Sequence, residues 1–128
     1  MADKLFNVYC PIYGKKLDIT ETDVIVKAKR FIQSNYEDTD LTLARVAEHV
    51  ELSEKYFTNK FTKEAGETFS EYLASIRIQK AMKLLKTTNF KVYEIAEMVG
   101  YNNVEHFNRV FKKVVQLSPT QYRKSDGI

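Results

Sequence analysis

Two stretches of the chain place side chains that can read a polyanion at helical spacing. Lys55, Thr58, Asn59, Thr62 and Lys63 form one group, and Glu105, Asn108, Arg109, Lys112 and Lys113 form the other. Each group brackets an aromatic pair at a step of four, Phe57 with Phe61 and Phe107 with Phe111. A helix buries such an i,i+4 pair, so the residues between and beside it project the other way. There Arg109 can fork onto guanine O6 and N7, worth roughly 1 to 3 kcal/mol of discrimination. A phosphate contact or a surface ion pair is its alternative use. Asn59 and Asn108 carry the amide pair that matches adenine, and each could equally be a solvated helix residue. Glu105 must either sit over a cytosine amine or stay outside a groove, because phosphate repels it. The four phenylalanines could stack on bases, but their spacing assigns them to a core.

The elements that must hold these groups repeat. Phe61 to Tyr72 and Phe111 to Tyr122 are both steps of eleven, and from Phe57 onward the two copies are offset by 50 residues. In chain order, Val24, Ile25, Ala28, Phe31, Ile32 and Tyr36 follow helical spacing, with Thr20 or Thr22 as the cap. Thr42 can cap a helix carrying Leu43, Val46, Ala47 and Val50, and Ser53 can cap the next, with Phe57 and Phe61 as its buried stripe. Helix, tight turn, helix, with small Ala47 at the crossing, is a helix-turn-helix arrangement. Gly66 suits a left-handed stop, and Thr68 with Glu71 makes a capping box for a long helix from about 69 to 86. That helix sets Tyr72, Leu73, Ile76, Ile78, Ala81, Met82 and Leu85 inward and Arg77, Lys80, Lys83 and Lys86 outward. The motif then returns with Val92, Ile95, Ala96 and Val99, a turn at Gly100, and a cap at Asn102 or Asn103. Ser118, Pro119 and Gln121 predict a short last helix ending near Lys124. The expected architecture is all-α, about seven helices, with one helix-turn-helix subdomain at about 42–64 and a second at about 91–114. Residues 1–19, interrupted by Pro11 and Gly14, are expected to be a linker or the remnant of an upstream domain, with a short strand possible there.

At 128 residues the chain suits one core or two small subdomains sharing a helix. No apolar run approaches the length that spans a bilayer, and the start lacks a signal-peptide core, so a cytoplasmic location without membrane contact is expected. Cys10 is the single cysteine, and His49 and His106 have no ligand-like neighbours, so neither a metal nor a cofactor is expected. No Gly-rich phosphate loop or nucleophile set supports catalysis, so the chain is not expected to be an enzyme. The net charge of +3 conceals a step. Residues 1–54 carry 7 basic and 10 acidic side chains, whereas residues 55–124 carry 13 and 6. The basic part coincides with both copies, which favours a polyanionic partner over two merely solvated faces. Thr42, Lys60, Thr62, Lys63, Lys112, Lys113 and Arg123 are the candidates for phosphate contact.

With that repeat, residues 41–124 resemble the DNA-binding domain of the AraC/XylS family of bacterial transcription regulators. The resemblance rests on seven ordered blocks, beginning with Leu43-x-x-Val46-Ala47 and Ser53-x-x-x-Phe57-x-x-x-Phe61. They continue with Gly66-x-x-Phe69-x-x-Tyr72, Arg77-Ile78-x-x-Ala81-x-x-Leu84-Leu85 and Ile95-Ala96-x-x-Val99-Gly100-Tyr101. Phe107-x-x-x-Phe111-Lys112-Lys113 and Ser118-Pro119-x-x-Tyr122-Arg123 complete the set. The stretch from Lys91 to Ala96 followed by Val99-Gly100-Tyr101 is most similar to output domains of YesN-like two-component response regulators. The resemblance implies a long helix joining the two subdomains, whose third helices, about 53–64 and 103–114, enter adjacent major-groove segments of bent double-stranded DNA. It makes Lys55, Thr58 and Asn59 the base-facing residues of the first reader and Val104, Glu105, Asn108 and Arg109 those of the second. It further implies an upstream sensing or receiver domain and RNA polymerase as a candidate partner. The domain itself shows no dimer signature and is expected to be monomeric. The chain departs from the pattern at Glu51 and Gln116, where the family has glycine, and at Lys91, a usual Ser/Thr cap. The two turns therefore either avoid a positive φ or accept about 1 kcal/mol of strain.

Overall fold

A computed structural model of the chain describes residues 21–125. The expected linker or strand in residues 1–19 lies outside them, as does residue 20, one of the two expected caps. Seven α-helices follow in order: α1 (Asp23–Asn35), α2 (Leu43–His49), α3 (Glu54–Ala65), α4 (Phe69–Thr87), α5 (Val92–Met98), α6 (Val104–Val115) and α7 (Pro119–Lys124). There is no strand among the described residues.

The helix boundaries follow from capping chemistry. The hydroxyls of Thr42, Ser53, Thr68 and Ser118 and the amide oxygen of Asn103 each accept the backbone N–H three residues on. Glu71 and Gln121 reach back to the cap amides of Thr68 and Ser118, completing reciprocal boxes. Thr22 starts α1 with its carbonyl alone, which accepts from Ile25 and Val26 N–H, while its own N–H and hydroxyl both donate to Glu64 on α3. Lys91 has no side-chain acceptor to offer α5, and the Glu94 carboxylate takes its N–H at 2.7 Å instead.

Two cores form along α4. Ile25, Ala28, Ile32, Val46, Ala47, Phe57, Phe61 and Leu73 close the first; Ile78, Ala81, Leu85, Ile95, Ala96, Phe107, Phe111 and Tyr122 close the second. Their aromatic frames nearly coincide. Phe57 and Phe61 lie 5.5 Å apart at 50°, Phe107 and Phe111 5.7 Å apart at 52°. Phe61 meets Tyr72 edge-on at 5.6 Å, and Phe111 meets Tyr122 at 5.8 Å. The repeat also reaches further back than its aromatic frame. Ile25, Ala28 and Ile32 on α1 have the spacing of Ile78, Ala81 and Leu85 on α4, so the second half of α4 serves its unit as α1 serves the first. Gln33 and Lys86 extend the match, the first donating its amide to the Tyr72 hydroxyl at 2.8 Å and the second lying over the Tyr122 ring.

One outward assignment changes, and two phosphate candidates hold internal partners. Arg77, expected outward, is only 8% exposed: its Nε donates to the Tyr36 carbonyl at 2.8 Å and its Nη2 to that of Asp38 at 2.9 Å. Helical periodicity puts residue 77 beside Ile78 at the edge of the stripe, and an arginine fork can enter a core when carbonyls await it. Arg123, expected on phosphate, does the same in the second unit. Its Nε and Nη2 donate to the Leu85 and Thr88 carbonyls at the end of α4. In both units an arginine thus donates to carbonyls at or just beyond the C-terminal end of the first helix, Leu85 and Thr88 in the second and Tyr36 and the loop residue Asp38 in the first. Lys60 is likewise committed, paired with Glu64 at 2.8 Å one turn on. Burial pushes the Glu64 carboxyl up, but hydrogen bonds from Lys60 and Thr22 outweigh it and hold the group below the usual range.

Candidate nucleic-acid interface

Each reading helix is seated by its two phenylalanines, all four fully buried. That seating dictates what the opposite side offers. On α3, Lys55, Asn59, Thr62 and Lys63 are exposed and Thr58 is half-buried; on α6, Glu105, Asn108, Arg109, Lys112 and Lys113 are exposed and Val104 is half-buried. Among the described residues, the side chains of Lys55, Asn59, Lys63, Asn108, Arg109, Lys112 and Lys113 hold no hydrogen bond or ion pair. A cation left unpaired on a rigid helix face costs little to bring to a phosphate, since no internal pair must first be broken. Lys60 and Arg123 fail that criterion. Thr42 carries no charge, but its hydroxyl only accepts the α2 cap bond from Arg45 N–H and keeps its own O–H to donate.

The two turns differ by one residue. Val50, Glu51 and Leu52 lead to the Ser53 cap, whereas Val99, Gly100, Tyr101 and Asn102 lead to Asn103. That insertion moves the copies from an offset of 49 before the turn to 50 after it. Both turns close alike, Leu52 N–H on the Ala47 carbonyl and Tyr101 N–H on that of Ala96, each at 2.9 Å. Glu51 and Gln116 adopt φ of 62° and 73°, so the departures from glycine are accommodated with left-handed strain.

The second reader stands in a groove. Val92 and Tyr93 at the start of α5 form one wall, and Pro119 and Thr120 at the start of α7 the other, around Asn108, Arg109 and Lys112. Tyr93 is 55% exposed, as is Tyr56 on α3. These phenols were not expected in the interface. Tyr56 immediately precedes Phe57 and lies on the flank of α3 near Lys60, a placement that helical geometry alone would have shown. His106, at the equivalent place on α6, packs edge-on against Tyr101 at 5.4 Å. No cluster of metal-ligating side chains occurs among the described residues, and no described helix is long and apolar enough to cross a membrane.

Comparison with known proteins matches a helix-turn-helix domain model to residues 46–125. The C-terminal domain of AraT, a response regulator from Geobacillus stearothermophilus, superimposes with a TM-score of 0.81 at 37% identity, covering 84% of this chain and 89% of that one. The C-terminal domain of the two-component response regulator yesN from Fusobacterium nucleatum gives 0.78 at 39% identity, with 80% and 100% covered. The transcriptional activator NphR of Rhodococcus is 32% identical over 107 residues, which are 84% of this chain and 32% of NphR. The chain spans between 32% and 42% of the length of the first curated relatives it matches.

Proposed function

Given that the chain belongs to the AraC/XylS-type family of helix-turn-helix transcription regulators, we propose that it reads double-stranded DNA with α3 and α6 together. The observation that carries this is the pair of matched helix faces, both exposed and both free of internal partners at their cationic and amide positions. Lys55, Thr58 and Asn59 are the base-facing residues of α3, and Val104, Glu105, Asn108 and Arg109 those of α6. Lys63, Lys112 and Lys113 neutralise phosphate, with Thr62 and the amide end of the helix after Thr42 as polar contacts. At 1.5 Å per residue, the 19 residues of α4 span about 28 Å, which with the widths of the readers suits the roughly 34 Å between successive major grooves on one face of a duplex. The domain acts as a monomer in the cytoplasm, downstream of a receiver or sensing domain, and its contact with RNA polymerase would be made in the full-length regulator.

Selection from a random duplex pool, followed by affinity measured against salt, tests the reading. A selective domain yields a consensus. The three cations assigned to phosphate, Lys63, Lys112 and Lys113, give a log–log slope of about −3. Weak binding to all duplexes alike would instead indicate a helical module for an acidic protein partner, and would overturn the proposal.

A further inference from the structure

The two units touch through very little besides α4. Helices α1 to α3 pack on one another and meet α4 chiefly through α3, whereas α5, α6 and α7 each pack on α4, with no broad packing between the sets. Among the described residues, the contacts that bridge them gather around Arg77. Its fork holds the carbonyls of Tyr36 and Asp38 in the loop between α1 and α2, and the same guanidinium lies 5.2 Å from the centre of the Tyr101 ring in the second unit. Tyr36 packs against both cores. Gly100 closes the gap so tightly that a Cβ there would fall 2.4 Å from the Tyr36 carbonyl oxygen and 2.7 Å from Arg77 Nε.

The loop that receives Arg77 is also where the copies differ in length. Ala28 to Ala47 is 19 residues, and Ala81 to Ala96 is 15. The longer connection includes Tyr36 to Asp40, and its carbonyls reach the seam between the units. Asp38 is fixed in turn, its carboxylate accepting from Arg45 on α2 at 2.7 Å. Arg123, which makes the matching fork in the second unit, closes that unit on itself and crosses no seam.

We infer that Arg77 is a positioning residue that sets the mutual orientation of the two reading helices, by pinning the Tyr36–Asp38 loop of the first unit to the Gly100–Tyr101 turn of the second. This rests on the DNA-reading function proposed above. A helix such as α4 can bend or twist about its axis, and a buried fork beside it removes that freedom. Orientation then becomes affinity, because the second reader engages intramolecularly only if the first leaves it correctly aimed.

The test places spin labels at Lys27→Cys on α1 and Glu97→Cys on α5, with Cys10→Ser, and measures the distance distribution in otherwise wild-type, Arg77→Met and Arg77→Lys proteins. Arg77→Lys keeps charge and stem but loses the two-donor fork, and it carries the test should Arg77→Met not fold. A narrow wild-type distribution that broadens or shifts in both variants, with helix content kept, is expected. Alongside it, the preference for a selected duplex over one with either half scrambled should fall about tenfold or more, while single-half binding changes less than about twofold. A variant distribution indistinguishable from wild type overturns the role of Arg77 whatever happens on DNA. Absence of selective DNA binding by the wild type overturns the function instead, and leaves the distance result to decide the role of Arg77.

Discussion

Position 51 in the first unit and position 100 in the second occupy the same place in their turns, yet one is glutamate at φ 62° and the other glycine at φ 107°. The matched helix stops are reversed: Gly66 ends α3 at φ 79°, and Gln116 ends α6 at φ 73°. Each copy therefore accepts one strained side chain and spends one glycine, but the glycines serve different ends. Gly66 has nothing within 4 Å of where a Cβ would stand, whereas Gly100 meets the first unit's backbone. A glycine in a repeat can thus answer to its own turn or to the neighbouring unit, and only the surroundings tell which.

Substitutions at these matched positions sharpen the comparison. Gly100→Ala should cost the most, roughly 2 to 4 kcal/mol by urea denaturation, since backbone strain and a backbone clash combine. Glu51→Ala at the same turn position should stay within about 0.5 kcal/mol, and equal losses at the two sites would break the contrast. Next in size, Arg109→Ala should relax base preference at one position of the selected site by roughly 1 to 3 kcal/mol. Lys112→Ala should weaken all duplexes alike and flatten the salt slope by about 1, so identical profiles for the two variants would refute their separate roles. Arg123→Ala should lower stability by roughly 1 to 2 kcal/mol, because the Leu85 and Thr88 carbonyls lose their donor, with the salt slope unchanged. A flatter slope there would return Arg123 to the phosphate set. Smallest, Gly66→Ala should cost about 1 kcal/mol through its left-handed φ alone. Gln116→Gly should gain a few tenths, the relief being offset by a freer unfolded chain.

Much of this architecture was legible in the residues. The aromatic frame at an offset of 50, the caps at Thr42, Ser53, Thr68 and Ser118, and the alternation of apolar stripes specify seven helices because each cue is local. The same local logic exposes Asn59 and Arg109 once Phe57 and Phe107 are buried. What it missed is long-range. Arg77 reads as a surface cation because nothing within a few residues announces the Tyr36 and Asp38 carbonyls, about 40 positions away in the chain. Arg123 reads as a free charge for the same reason, whereas the Glu64 partner of Lys60 lies only four residues on and was open to a local reading. The kinship of α1 with the second half of α4 was hidden by the longer connection before Ala47, which disturbs the offset while preserving the spacing of the buried faces. Tyr56 and Tyr93 went unnoticed because aromatic residues were assigned to the core by default.

The most direct test of two coupled readers is to insert five base pairs between the halves of a selected duplex, which turns one half by about half a helical repeat. The account predicts that affinity falls to that of a duplex carrying a single half, because α6 then faces away from its groove when α3 is seated. Affinity that survives the insertion unchanged would contradict it, and would mean that the two units bind independently or that only one of them reads DNA.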